Sequence, residues 1–366
     1  MSSEWKNISE ESLKKLEHIV EQEMLTPEEI RDNLEVTEKG RIRQSIQNCK
    51  YVLEHDPCLQ GTVCRNEMTC QIDIKKKVPW KRRGVQMTDT DMNNLSLYLE
   101  KNYGLTSDRV IAKAIDIVAN DNSFHPIIDL LESLKWDGRP RIAGMLTHFF
   151  GAENPEYSGE VMKMHMLAAI SRLYEPGKKY DIMLCLVGGQ GTGKSTFFKY
   201  LAIQDEWFTD DVKRLDDKKV YEYLQGHWIV EMSEMNAVAN AKSIEETKSF
   251  LSRQKDTYRI PYERRAEDRY RQCVFCGTSN DLAFLPFDRT GNRRFGPVKV
   301  CPEKAETTIY RDEKGSREYI MQVWAEAMMI YRSGEYSMRF SKEIQNRLIE
   351  VQRDFMPEDT KAGMIQ

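Results

Sequence analysis

A chain of 366 residues, 40% hydrophobic and 31% charged, is composed like a soluble globular protein with room for two or three domains. Its formal net charge of −4 excludes a protein that coats nucleic acid wholesale and leaves only local basic clusters for phosphate contacts. No stretch approaches the roughly 18 apolar residues of a membrane helix, and the charged N-terminus lacks a signal-peptide core, so no membrane partner is expected and the compartment is expected to be cytoplasmic.

In chain order, residues 8–48 read as charged helices, with Thr26 as an N-cap, Pro27 at the first helical position, and Glu28 and Glu29 in the first turn. Residues 61–78 alternate and suggest a small sheet, so residues 1–89 form a first region of charged helices plus a little β-structure. Within it, 'IKKKVPWKRRG' sets six cations around Trp80, which reads equally as a nucleic-acid contact or a basic linker. Residues 90–178 return to helical periodicity and end at Pro176 and Gly177. Residues 179–302 alternate short strands and helices, the pattern of an α/β sheet with helices on its faces. Residues 303–366 hold a helix closed by Gly334 and then a polar tail. Eight cysteines are scattered; Cys273 and Cys276 form a C-x-x-C inside an apparent strand with no second pair nearby, which reads as buried reduced thiols rather than a zinc site.

The chemistry concentrates in 'LVGGQGTGKSTFFKYL', an apolar strand, a glycine-rich turn and a helix start. Gly188, Gly193, Lys194 and Ser195 fit the phosphate-binding loop of nucleoside triphosphatases, with Gly189, Gln190, Gly191, Thr192 and Thr196 completing the wrap around ATP. Glycines let backbone N–H groups turn toward the phosphates, and the helix N-terminus favours negative charge. Lys194 would reach the β- and γ-phosphates, and the Ser195 hydroxyl would ligate Mg²⁺. Hydrolysis also needs a carboxylate on a neighbouring strand, and 'WIVEMSEM' offers Glu231 and Glu234. One would organise the metal shell and the other orient water, in either order.

The strand 'QCVFCGTSN' ends at Asn280, which suits either a water-positioning amide or an ordinary turn. Arg289, Arg293 and Arg294 follow around Gly291, as an arginine finger or as surface arginines flanking a turn. Between the acids and Asn280 lies a run with Arg253, Lys255, Arg259, Arg264, Arg265, Arg269 and Arg271, interleaved with Tyr258, Tyr262 and Tyr270. Cations for phosphates and rings for bases suit a strand-tracking surface, and four acids in the window suit a solvated hairpin equally.

The order of 'GGQGTGKST', 'WIVEMSEM', 'TKSFLSRQKDTYRIPYERR', 'FCGTSN' and 'DRTGNRRF' closely resembles the virulence-associated E family, ATPases similar to superfamily 3 replicative helicases. The resemblance covers roughly residues 40–350, including 'FHPIIDLLESLKWDGRPRI'. It implies an AAA+-like, superfamily 3-type P-loop core flanked by a mainly helical N-terminal domain and a helical C-terminal segment. It further implies a hexameric ring moving along single-stranded or forked DNA. Asn280 becomes the γ-phosphate sensor and Arg293 or Arg294 the finger acting in trans. Lys255, Arg259, Tyr262, Arg264 and Arg265 fall at the channel hairpin that grips DNA. Too few residues precede the loop for the primase domain of many relatives, so a primase is expected as a separate partner. The activity implied is an ATP- and Mg²⁺-dependent DNA helicase for replication of a prophage or genomic island. An ATP-switched origin-binding or loading factor, and after it a small-molecule kinase, are the alternatives.

Overall fold

The structure, a computed structural model, describes residues 25–212, 220–233, 241–258, 266–285 and 292–357. It divides into two compact units, Met1–Pro126 and Ile127–Gln366.

In the first unit α1 (Pro27–Asp32) opens with the expected cap: Thr26 accepts from the Glu29 amide while the Glu29 carboxylate accepts from the Thr26 amide. The helical run expected up to residue 48 is broken after α1, and its part before residue 25 lies outside the described residues. Val36 and Ile42 instead form an antiparallel bridge around a turn that Gly40 takes at φ +71°. Asn48 holds that turn by accepting from the Glu35 amide and donating to the Glu35 and Arg43 carbonyls, bonds that outweigh weak local helix propensity. Then follow α2 (Ile46–His55), the hairpin of β1 (Val63–Asn66) and β2 (Gln71–Ile74), α3 (Asp89–Tyr103) and α4 (Asp108–Asp121). Leu53, Leu99, Ile111 and Ala114, none of them exposed, form its core.

Part of the basic run of residues 74–84 is structural. Trp80 Nε1 and Arg82 Nε both donate to Asp91 Oδ1, at 2.9 and 2.8 Å, and Asp91 also closes the capping box of Thr88. Burial works to raise the Asp91 pKa, but bonds from Arg82, Trp80 and Thr88 outweigh it and hold the carboxyl well below the usual range. The tryptophan and one arginine are therefore struts. Lys76 is tied to the Gln60 carbonyl, and Lys75 lies over the Phe124 ring.

The boundary falls after the first residue of α5 (Pro126–Ser133), and the second unit continues with α6 (Met145–Phe150) and α7 (Pro155–Tyr174). Its sheet comprises β3 (Met183–Val187), β4 (Phe208–Thr209), β5 (Ile229–Met232), β8 (Val274–Ser279) and β9 (Phe295–Lys299). Helices α8 (Lys194–Leu201), α9 (Val220–Leu224) and α10 (Ala241–Ser252), and the hairpin of β6 (Lys255–Tyr258) and β7 (Glu267–Tyr270), fall between them in sequence. The strand order is β4-β5-β8-β3-β9 and every pairing is parallel. Every residue of β3 and β8 is buried, as in strands covered on both faces, with polar residues only at Thr278 and Ser279 at the end of β8. The expected α/β core is thus present as a five-stranded parallel sheet with helices around it.

Helix α11 (Glu313–Ser333) ends at Gly334 in the left-handed conformation, as its sequence predicts. Trp324 on it stacks on Trp228, with centroids 4.3 Å apart. Their indoles donate to the Leu201 and Ala169 carbonyls, tying α11, α8, α7 and the strand β5 together. The tail expected to be merely polar instead contains α12 (Lys342–Arg353), capped by Ser341. Ile344, Leu348 and Val351 recur at helical spacing and are buried, and Gln352 donates to the Asn292 and Phe295 carbonyls. Among the described residues no helix is long and apolar enough to cross a membrane.

Candidate functional site

The glycine-rich loop joins β3 to α8, and β3 lies between β8 and β9. Two glycines are sterically required. A Cβ on Gly188 would sit 3.0 Å from Val300, and one on Gly193, at φ +88°, would sit 2.6 Å from Ile309 Cγ2. The loop leads directly into the first turn of α8, whose amides have no partners within the helix.

Lys194 is 7% exposed, and its Nζ donates to the carbonyls of Gly188 and Gly189, both at 2.7 Å, and to Asn280 Oδ1 at 3.1 Å. Burial lowers its pKa, and the charge of Glu231 works the other way. Because β8 is inserted between β3 and β5, Glu231 and the end of β8 both face the loop. Glu231 is fully buried, and its Oε1 accepts from Ser195 Oγ and from Thr278 Oγ1, each at 2.7 Å. Its Oε2 is buried and unpartnered among the described residues. Burial raises the Glu231 pKa, against the bonds from Thr278 and Ser195.

Lys194, Ser195, Glu231 and Asn280, all singled out from sequence, are therefore brought together. Glu234, Arg259, Tyr262, Arg264 and Arg265 lie outside the described residues. The two arginines after the loop residues differ: Arg294 Nε is held by Asp181 at 3.2 Å and Ser252 Oγ at 2.9 Å, whereas Arg293 is exposed. The hairpin stalk is charge-matched. Lys255 pairs with Asp268, and buried Arg271 makes a two-point pair with Asp256 at 2.6 and 3.0 Å. Cys273 and Cys276 are buried free thiols, as expected.

Two site residues escaped the sequence reading. Thr278 precedes Asn280 by two on β8, so strand alternation was the available signal for a partner of Glu231. Tyr310, whose hydroxyl accepts from Thr196 Oγ1 at 3.0 Å, has no local signal at all.

Chemically, the loop sets a cation and helix-terminal amides for a polyanion, and a carboxylate–hydroxyl pair for a hard divalent cation. No group of three or more His, Cys, Asp or Glu that could hold a metal occurs among the described residues. A cation at Ser195 and Glu231 would share its shell with ligand oxygens and water, as Mg²⁺ does.

No curated protein matches the chain at a significant level. Two solved apo structures of the NrS-1 C-terminal region are similar, at 15% and 16% identity with TM-scores of 0.49 and 0.43, each covering 79% of this chain and 71% of that one. The sequence model of the virulence-associated protein E-like domain matches residues 131–357, which include every described residue of the site. That match spans more than half of the chain, and the protein belongs to the virulence-associated protein E-like family.

Proposed function

We propose that the second unit is an Mg²⁺-dependent ATPase of the P-loop, AAA+-like superfamily 3 type. Its hydrolysis would drive translocation along DNA in the replication of a prophage or genomic island. The observation that carries this is the convergence of Lys194, Ser195, Glu231 and Asn280 from the loop and two further strands. The strand order supports the AAA+-like assignment, since it separates the loop strand from the Glu231 strand by β8.

In this reading the loop amides and Lys194 bind the β- and γ-phosphates, and Ser195 with Glu231 would hold the metal. Mg²⁺ bound there would neutralise charge developing on the phosphate oxygens. Glu231, facing the loop beside Ser195, would also orient water near the γ-phosphate. Asn280 spends its Oδ1 on Lys194 and keeps its amide N–H groups as donors for that water or for the phosphate. The exposed Arg293 suits a finger inserted into a neighbouring subunit's site, in a ring best matched to six copies. The hairpin on β6 and β7 would carry Arg259, Tyr262, Arg264 and Arg265 to the DNA, with Lys255 at its base.

The test is ATP hydrolysis with and without single-stranded DNA for wild type, Lys194→Ala and Arg265→Ala. Wild type should be stimulated, Lys194→Ala inactive, and Arg265→Ala active but unresponsive to DNA. Hydrolysis indifferent to DNA in wild type removes the translocase. Stimulation without displacement on a forked substrate leaves an ATP-switched loading factor.

A further inference from the structure

The loop has two flanks. Lys194, Glu231 and Asn280 gather toward β8 and β5, while β9 and the chain that follows it lie on the other side of β3. On that second flank the turn before α11 presses Tyr310 against the loop. A Cβ placed on Gly193 would come within 3.1 Å of Tyr310 Cε2, and the Tyr310 hydroxyl accepts from Thr196. The turn is anchored. Ile309 is fully buried, its carbonyl accepts from Ser316 Oγ at 3.2 Å, and the Thr307 amide donates to the His148 carbonyl. Yet the Tyr310 side chain on this fixed support is 56% exposed. An aromatic ring held at a fixed place with much of its surface in water is a stacking platform whose ordering has already been met by the fold.

From this geometry we infer that Tyr310 contacts the base of the bound nucleotide. The inference rests on the nucleotide reading above. A triphosphate whose terminal phosphate lies by Lys194, Glu231 and Asn280 runs along the loop and delivers its nucleoside toward the opposite flank, where Tyr310 stands. Stacking there is indifferent to base identity, because every base has a π-face, so the site takes nucleoside triphosphates with weak base selectivity. Thr196 ties the hydroxyl end of the ring to the loop and leaves its faces for the base.

The experiment measures calorimetric binding of AMP-PNP and of inorganic tripolyphosphate, both with Mg²⁺, to the full chain. The proteins are wild type, Tyr310→Ala, Tyr310→Phe and Lys194→Ala. Tyr310→Ala should weaken AMP-PNP about tenfold and leave tripolyphosphate within about twofold of wild type, while Tyr310→Phe retains both affinities. Equal weakening of both ligands, or of neither, by Tyr310→Ala overturns the inference. If wild type binds both ligands and Lys194→Ala loses both, the phosphate-loop reading stands whatever Tyr310 does. Failure of wild type to bind either ligand sinks that reading and this inference with it.

Discussion

Replacing Glu231 by Gln should stabilise the protein while stopping its proposed turnover. Glu231 is fully buried, and only one of its oxygens is bonded among the described residues, by Ser195 and Thr278. Glutamine keeps a carbonyl oxygen for both hydroxyls and removes the buried charge. A buried polar group left unsatisfied costs about 1–3 kcal/mol and more when it is charged. The glutamine N–H groups take the unpartnered place of Oε2, so Glu231→Gln should gain only the excess due to the charge, about 1 kcal/mol. For a unit of this size each kcal/mol moves Tm by about 2–4 °C, so a rise of about that size is expected by calorimetry at pH 8. The sign with pH follows from the raised pKa. The folded state holds the proton above the unfolded value of 4.5, so wild-type stability from this group falls as pH rises through the folded pKa. The advantage of Glu231→Gln should therefore be full at alkaline pH and vanish as pH falls to about 4.5. Comparing the two proteins at each pH cancels the titrations of groups that do not interact with Glu231. Mg²⁺-ATP, held through the loop amides and Lys194, should stabilise both proteins, and only wild type should hydrolyse it. A variant less stable than wild type at pH 8 refutes the reasoning, since it would mean the carboxylate is compensated where it lies.

His165 titrates in the opposite sense. It is fully buried on α7 with neither ring nitrogen bonded among the described residues, and burial depresses its pKa to about 3. Its depressed folded pKa makes stability complete above pH 6.5 and decline by about 1.4 kcal/mol per unit below it, so urea unfolding at pH 5 should show a loss of about 2 kcal/mol that His165→Leu abolishes. Arg271→Ala strands buried Asp256 at the hairpin base and should cost about 3–5 kcal/mol, with much of it restored in the Asp256→Leu, Arg271→Met double variant; a loss under about 1 kcal/mol would contradict the pairing. Arg294→Ala should lower Tm through loss of Asp181 and Ser252, whereas Arg293→Ala should leave Tm unchanged and lower ATP hydrolysis. If Arg293 acts in trans, mixing Arg293→Ala with Lys194→Ala subunits restores part of the activity, and no recovery assigns the arginine elsewhere.

What the amino-acid sequence determined by itself is whatever a contiguous stretch can encode. The loop from Gly188 to Thr196 is legible because its glycines, lysine and hydroxyl must follow one another along a single turn, and β3, β8, the Thr26 cap and the Gly334 stop are local in the same way. Where distant side chains compete for a partner, tertiary structure decided. Trp80 and Arg82 read equally as a nucleic-acid contact or a basic linker until Asp91 takes both, and α12 looks like a tail until Ile344, Leu348 and Val351 find a surface to bury. The site itself depends on strand order. Only the insertion of β8 between β3 and β5 brings Asn280 to Lys194, and Thr278 and Ser195 to one oxygen of Glu231. Tyr310 reaches Thr196 across 114 residues of sequence, by way of a turn fixed through the burial of Ile309. Parallel strands joined by crossovers leave their order free in the local pattern, so the meeting of these groups is settled by how helices and sheet bury their apolar faces together.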